Sequence, residues 1–320
     1  MDRRHFLKYS AAIPAALPLS GWGKPNIPQA GETHPPSPVC MFVKPLEKYS
    51  YDDIAVILSE SGFDGADISL RKGGLIDPET ARTELPGLIK IFERRKLSIP
   101  MAVSGISSPF EPDAERLIRL MADCGIKYYR LGAILYDKTL SIPENLNRWK
   151  EKMMALCELN ARYGVHGAIQ NHAGTSLGAP VWDAYCAVKD CDPRYMGIQY
   201  DIRHAMAEGM SSWPLALEMA LGHIRTTCIK DFTWIRQNKG FKPLTVPLGE
   251  GIVDFGKYFG ILNSRGASGP VSIHYEYPLL PEEQSGTAAA EQVKSVISNL
   301  TRDLDTYKHM FAQSLQNNNL

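Results

Sequence analysis

The 320-residue sequence predicts an α/β protein, a single-domain (β/α)8 TIM barrel. Three observations lead to this prediction. Short apolar or β-branched runs recur eight times from Val39 onward, amphipathic stretches long enough for helices lie between them, and no glycine-rich phosphate loop follows the first run. The last observation disfavours the main alternative, a doubly wound open sheet. No nucleotide cofactor is expected.

The eight runs are assigned as strands because each is short and rich in residues that favour a pleated sheet. In chain order they cover residues 39–43, 66–70, 99–103, 127–131, 166–170, 196–200, 225–229 and 270–275. Strands that all run in one direction and alternate with helices close into a barrel of about 250 residues.

The stretches between the strands repeat apolar residues at helical spacing. Residues 51–61, for example, place Ile54, Ile57 and Leu58 on one face. The same pattern recurs in 111–124, 144–163 and 287–313. Glycines that are expected to adopt a left-handed C-cap conformation follow four helical runs, at Gly62, Gly125, Gly164 and Gly222. The last helix is expected to close the barrel, which spans 39–313, and a polar tail covers 314–320.

The composition limits the classes of partner. Lys+Arg and Asp+Glu are 35 each, so the formal net charge is zero and nothing attracts nucleic acid in general. No apolar run approaches the roughly 20 residues that span a bilayer. The 44% hydrophobic content is ample for a core, which excludes disorder as a description of the whole chain.

The N-terminus has a different character from the rest of the chain. Residues 2–8 (DRRHFLK) precede a weakly apolar stretch of small residues at 9–22, a pattern that resembles a twin-arginine export signal. This resemblance implies a signal peptide at 1–30, a proline-rich linker at 31–38, export machinery as a partner and a periplasmic location in a Gram-negative bacterium. The alternative is a disordered basic N-terminus.

Polar residues end nearly all of the predicted strands. In (β/α)8 barrels the carboxyl ends of the strands and the loops that follow them build the active site, so these residues are the candidates. They are Lys44, Asp67, Ser69, Arg71, Ser104, Arg130, Gln170, Asn171, His172, Asp201, His204, Cys228, Lys230, Asp231, His274 and Glu276.

Several short segments resemble the xylose-isomerase-like superfamily of TIM barrels, which includes sugar-phosphate isomerases, keto-sugar epimerases and endonuclease-IV-type enzymes. The segments are GFDGADISLR (62–71), ADCGIKYYRLG (122–132), QNHAG (170–174), YDIRHA (200–205), IKDFTW (229–234), PLGEGIVDF (247–255) and IHYEYP (273–278). Their order and spacing extend the resemblance over about 39–310, the whole proposed barrel.

The resemblance also implies a metal site, from which this chain departs. Epimerase-type members hold one divalent metal with Glu, Asp, His and Glu on strands five to eight, and the strand-six turn reads D-x-x-H. Asp201 and His204 match that turn. The other three positions hold Gln170, Cys228 and His274, so one ligand of four is unchanged.

Two accounts of the site follow from these replacements. In the first, a divalent ion (Mn²⁺, Zn²⁺ or Fe²⁺) is retained by a remodelled set of ligands, for which Asp201, His274 and Gln170 are the candidates. In the second, the metal is lost and Lys230, with Arg71 or Arg130, supplies the positive charge that polarises a sugar carbonyl.

The function expected is that of a carbohydrate isomerase or epimerase that removes a proton α to a carbonyl of an unphosphorylated sugar through an enediolate. The catalytic candidates are Glu276, His204 and Lys230. The substrate-binding candidates are His172, Asn171, Arg71, Arg130 and Trp234, the last because an aromatic face near the site can stack on a sugar ring. A keto-sugar lyase or hydratase on the same scaffold, and a non-catalytic sugar-binding barrel, are the alternatives.

Overall fold

The computed structural model describes residues 37–238, 240–265, 267, 269–280 and 288–317. These residues form ten strands, which are β1 (Val39–Phe42), β2 (Gly65–Leu70), β3 (Ser98–Ser104), β4 (Tyr128–Arg130), β5 (His166–Gln170), β6 (Met196–Asp201), β7 (Ile224–Ile229), β8 (Asp231–Gln237), β9 (Gly240–Val246) and β10 (Val271–Ile273). Eight of them pair in parallel in the closed order β1-β10-β7-β6-β5-β4-β3-β2. The prediction of a single (β/α)8 barrel is confirmed, and the observed strand bounds lie within two residues of the predicted ones.

Helices connect the strands in the described part of the chain. They are α1 (Tyr51–Ser61), α2 (Ala81–Glu93), α3 (Ala114–Asp123), α4 (Ile142–Tyr163), α5 (Val181–Val188), α6 (Ile202–Gly209), α7 (Trp213–Ala220), α8 (Phe255–Ser264) and α9 (Ala289–Asn317). Their apolar faces and the strands share one continuous core, against which α9 packs Val296, Leu300 and Leu304. Within the described ranges, no helix is both long and apolar enough to span a bilayer.

The helix ends follow local chemistry. Ser50 caps α1 by accepting a hydrogen bond from the Asp53 amide, and Gly62 ends that helix at φ 86°. The predicted left-handed glycines after α1, α3 and α4 are confirmed. The prediction was wrong for Gly222, which lies inside a short 3₁₀ helix at Leu221–His223 without a positive φ. A 3₁₀ turn that leads directly into β7 leaves no left-handed position to fill.

A β-hairpin that was not among the predicted strands follows the seventh barrel strand. Strands β8 and β9 pair antiparallel, with Asp231 opposite Val246 and Gln237 opposite Gly240. The buried carboxylate of Asp231 then holds the segment that follows. It accepts hydrogen bonds from the backbone amides of Phe232, Gly249, Gly251 and Val253 at 2.8–3.1 Å.

The two chain ends compare differently with the sequence predictions. Helix α9 continues to Asn317, so residues 314–317 are not a polar tail. Ser314 is buried and its hydroxyl donates to the Phe311 carbonyl oxygen, which explains why the helix does not stop there. The predicted signal peptide at 1–30 and all but the end of the linker lie outside the described residues.

Candidate active site

A cavity of about 330 Å³ opens at the mouth of the barrel, the end where the carboxyl termini of the strands meet. Its volume lies within the range of roughly 300–1,000 Å³ that is common for small-molecule sites. The polar residues that line it are Lys44, Arg71, Ser104, Arg130, Gln170, His172, Ser176, His274 and Glu276. The position agrees with the expectation for a barrel of this kind.

A buried charge cluster lies against this cavity. The Lys230 ammonium is 2.7 Å from Glu276 Oε1, 2.9 Å from His204 Nε2 and 3.2 Å from Asp201 Oδ2. Asp201 also caps α6, because its Oδ1 accepts from the backbone amide of His204 at 3.1 Å. Lys230 and Asp201 are almost inaccessible to solvent, whereas the Glu276 side chain is 45% exposed. Glu276 is therefore the member of the cluster that substrate can reach.

The structure places Lys230 and His204, two of the predicted catalytic residues, beneath the residues that line the cavity. Neither of them lines the cavity among the described residues, and their side chains are 1% and 3% exposed. Burial and the neighbouring Lys230 ammonium lower the pKa of His204 far below its usual value, so this imidazole is neutral. Lys230 contacts Glu276 and His204 contacts His172, and both of these partners line the cavity.

His172 covers His204 at the mouth. The two rings are 3.9 Å apart between centroids, and His172 Nδ1 lies 3.0 Å from the Ala173 carbonyl oxygen. A carbonyl oxygen only accepts, so Nδ1 carries the proton and Nε2 has a lone pair. Packing around the ring and the Lys230 charge lower the pKa of His172, which leaves the imidazole neutral at pH 7.

The side chain of Gln170 has a fixed orientation. Arg130 Nη1 donates to Gln170 Oε1, and a guanidinium cannot accept, so the amide oxygen must face Arg130. The amide nitrogen consequently faces Asp201 Oδ2 at 2.8 Å and Cys228 Sγ at 3.5 Å. Gln170 offers no ligand atom toward Asp201, in contrast to its predicted role as a metal ligand.

Asn171 and Trp234 are not brought to the cavity. The buried Asn171 amide makes two hydrogen bonds to the Asp201 backbone, one to its N–H at 2.7 Å and one to its C=O at 2.9 Å. Trp234 lies on the β8 strand of the hairpin, 5.6 Å from the Phe232 ring in an edge contact. Neither of these two predicted substrate-binding residues is among the described residues that line the cavity, whereas Arg71, Arg130 and His172 are.

Comparison with known proteins identifies the family. The profile described as xylose isomerase-like TIM barrel matches residues 55–298. This chain belongs to that family. No curated protein matches the sequence itself.

Several solved structures have a similar fold, but their sequence identity to this chain is low. A D-psicose 3-epimerase from Clostridium cellulolyticum H10 has 13% identity and a TM-score of 0.63, with 86% of this chain and 99% of that one covered. The IOLI protein with a bound zinc atom has 17% identity and a TM-score of 0.64 over 84% and 99%. A 3-keto-D-glucoside 4-epimerase from E. coli has 16% identity and a TM-score of 0.60, with 83% of this chain and 99% of that one covered. Such likeness shows the fold alone.

The family's use of metal raises the question of whether this member can hold one. Ligand atoms of Asp201, Cys228 and His274 all lie within 4.8 Å of one another, and carboxylate, thiolate and imidazole together suit a zinc-type ion. Burial, however, raises the pKa of the Cys228 thiol well above its usual range. Asp201 Oδ2 already accepts from both Gln170 and Lys230. The donor types and their spacing are compatible with a divalent ion, and in the present arrangement Asp201 is instead contacted by Gln170 and Lys230.

Some residues of the site had no clear signal in the sequence. Phe42 stacks on the ring of His274 at 4.7 Å between centroids, and the Arg130 guanidinium lies 5.5 Å from the Phe42 ring. Ser176 reaches the cavity through a loop that bridges to Leu135. Phe42 could have been found as the last residue of the first strand, but the Ser176 loop has no local pattern that places it.

Asp67 gives the site a pH-dependent stability. Burial raises the pKa of Asp67 to about 6, although Ser272 and Arg130 oppose that effect. An unfolded Asp titrates near 3.9, so the folded state holds the proton more tightly. The free energy of unfolding should therefore fall by up to about 3 kcal/mol as the pH rises from 4 to 7. Urea unfolding at several pH values measures this slope.

Asp67→Asn is the control for that measurement, because the amide keeps the shape of the carboxyl group without its titration. We expect the variant to show a flatter dependence between pH 4 and 7 and to be at least as stable as the wild type at pH 7. A slope that is equal in both proteins would assign the pH dependence to other groups.

Proposed function

We propose that this protein is a carbohydrate isomerase or epimerase that removes a proton from the carbon next to a sugar carbonyl. One observation carries the proposal. The Glu276 carboxylate lines a cavity of small-molecule size while a 2.7 Å ion pair to the buried Lys230 ammonium holds it in place. A positioned carboxylate at an accessible pocket is what general base catalysis requires.

The cavity residues divide the chemistry between them. Glu276 Oε takes the proton from carbon, the bonding pair moves toward the carbonyl, and the carbonyl oxygen becomes an enediolate oxyanion. Arg130 lines the same cavity and can donate hydrogen bonds to that oxygen. Glu276 then delivers the proton to the former carbonyl carbon, which gives isomerisation, whereas epimerisation needs the proton returned to the original carbon from its opposite face. Neutral His172 can take up a hydroxyl proton and pass it to the oxyanion, which moves the carbonyl to the neighbouring carbon.

Lys230, Asp201 and His204 are positioning residues in this scheme. The ammonium is anchored by Asp201 at 3.2 Å and by His204 at 2.9 Å, so it holds Glu276 from below without contacting substrate. This buried cation stands beside the three residues with metal-ligand atoms. We propose that Lys230 supplies there the fixed positive charge that a metal provides in other family members.

The substrate is proposed to be an unphosphorylated sugar. The support is the N-terminal resemblance to an export signal, since an exported enzyme in the periplasm meets free or oxidised saccharides. A lyase or hydratase would share the proton abstraction and would then expel the group on the next carbon. A protein of similar fold that is described as a probable 3-DHS dehydratase (18% identity, TM-score 0.55) supports keeping this alternative.

Incubation with keto-sugars in D₂O, followed by NMR, tests the function. We expect deuterium at a carbon next to the carbonyl and the appearance of an isomer or epimer. An unsaturated or hydrated product would favour the lyase alternative. Binding of sugars without deuterium uptake would overturn proton-abstraction chemistry and favour a non-catalytic binding barrel.

Chelation should leave the activity intact. If Lys230 provides the fixed charge, dialysis against EDTA is expected to change the turnover rate less than about twofold, because no step of the scheme needs a divalent ion. Metal analysis of protein purified without chelator accompanies the assay. Stoichiometric zinc that is lost on chelation together with activity would contradict the metal-free site, and Cys228→Ser would then identify the thiolate as its ligand.

A further inference from the structure

Cationic side chains predominate around the cavity. Lys44, Arg71 and Arg130 line it, and Glu276 is the only carboxylate among the described lining residues. Glu276 is already paired with Lys230 at 2.7 Å, and His172 is neutral. The carboxylate therefore does not balance the three cations, and the pocket has an excess of positive charge.

The three cations differ in what they contact. Arg130 donates to Gln170 and lies over the Phe42 ring, so contacts within the protein fix the position of its guanidinium. Across the described ranges, no carboxylate lies within ion-pair distance of Arg71 or Lys44. These two side chains face the cavity with their charges unpaired.

The backbone around Arg71 is held in one conformation. The Arg71 amide donates to the Ile76 carbonyl at 3.1 Å, and the Gly74 amide donates to the Arg71 carbonyl at 2.9 Å. Ser69 Oγ accepts from the Leu75 amide at 2.8 Å. Arg71 is thus carried by a hydrogen-bonded turn directly after β2, which places the start of its side chain reproducibly.

Lys44 lies beside Arg71 in the barrel. It begins a 3₁₀ helix at Lys44–Leu46 immediately after β1, and β1 pairs with β2. Adjacent strands therefore deliver both unpaired cations to the same side of the mouth. Burial lowers the pKa of Arg130, and repulsion from Arg71 adds to this effect, while the carboxylates of Asp67 and Asp201 oppose it. An anion held among these groups would relieve that repulsion.

We propose that Arg71 and Lys44 form a subsite for an anionic substituent of the sugar. The inference rests on the proposed function, because it names the substrate class of the same cavity. A guanidinium fork and an ammonium recognise carboxylate and phosphate oxygens alike. We assign the substituent to a carboxylate, so that the substrate is a sugar acid, because an oxidised saccharide fits the proposed exported location.

Calorimetric binding of matched sugars tests the subsite independently of turnover. The probes are D-glucuronate, D-glucose and D-glucose 6-phosphate in low-salt buffer, where electrostatic differences are least screened. We expect glucuronate to bind about tenfold or more tightly than glucose, in line with charge-assisted hydrogen bonds. Tighter binding of the 6-phosphate than of the carboxylate would overturn the assignment to a sugar acid.

Variants separate the subsite from a general charge effect. Arg71→Gln and Lys44→Gln should each reduce the preference for glucuronate over glucose, whereas Arg71→Lys should retain part of it. Lys127→Gln is the matched control, because Lys127 is exposed just before β4, at the opposite end of the barrel.

Two outcomes would overturn the subsite. One is equal or undetectable binding of glucose and glucuronate by the wild type, and the other is an unchanged preference in both Gln variants. Preference for glucuronate in a protein that shows no deuterium exchange would instead keep the subsite and reject the proposed enzyme activity.

Discussion

Glu276→Gln should lower the turnover of the proposed reaction about 10²- to 10⁴-fold, which is the range that general acid–base catalysis contributes. The amide keeps the size of the side chain but cannot accept the proton from carbon. The expected loss lies in kcat, because the neighbouring cavity residues that bind substrate are unchanged. Steady-state kinetics and deuterium exchange at the substrate carbon measure it.

The contacts of Glu276 explain why this effect should be so specific. Its Oε1 is 2.7 Å from Lys230 Nζ and 4.0 Å from His274 Nδ1, so it has one strong partner and an open side toward the cavity. Glu276→Asp keeps the carboxylate but shortens its reach, and an intermediate rate is expected. Glu93→Gln, at the exposed end of α2, is the control for removal of a surface carboxylate. Full activity in Glu276→Gln would exclude Glu276 as the base.

The fold could be predicted because its signals are local. A barrel strand such as β2 is an apolar run between turns, and a helix such as α1 begins at a capping serine and ends at a left-handed glycine. The hairpin β8–β9 was missed although its chemistry is also local, since Asn238 and Gly240 follow a run rich in β-branched and aromatic residues.

The depth of the site residues could not be predicted in the same way. Alternation along a strand places Cys228 and Lys230 on one side, but it does not indicate which of them reaches the substrate. That depends on neighbours far away in sequence, because Glu276 and His172 cover the Lys230–His204 pair. Asn171 shows the same limit, since its side-chain amide is hydrogen-bonded to the backbone of Asp201 in β6, thirty residues later in the sequence.

Gln170 illustrates how one partner reverses an expectation. As an isolated residue it offers both an oxygen and an amide nitrogen. Arg130, on the neighbouring strand β4, takes the oxygen and turns the nitrogen to Asp201 and Cys228. In this arrangement the predicted metal ligand therefore presents a hydrogen-bond donor to Asp201.

Lys230→Met should destabilise the protein by about 3–5 kcal/mol, the cost of removing one partner from a buried ion pair. Asp201 is 0% exposed and would keep hydrogen bonds from Gln170 and from the His204 amide, but it would lose its countercharge at 3.2 Å. Urea unfolding measures the change. Lys150→Met, which breaks the partly exposed Lys150–Asp190 pair, is the control and should have a much smaller effect.

The double variant Asp201→Asn/Lys230→Met decides whether charge is the cause. Because Asn cannot ionise, the double variant leaves no uncompensated anion at this position and should recover part of the stability lost in Lys230→Met. The recovery is partial because the single Asn oxygen can accept from only one of the Gln170 and His204 donors. If the losses of stability measured for the single variants Lys230→Met and Asp201→Asn simply add in the double variant, the destabilisation reflects packing around the lysine stem. Recovery of stability without recovery of activity would show that the buried pair holds Glu276 for catalysis, because the fold would then be intact while the base lacks its anchor.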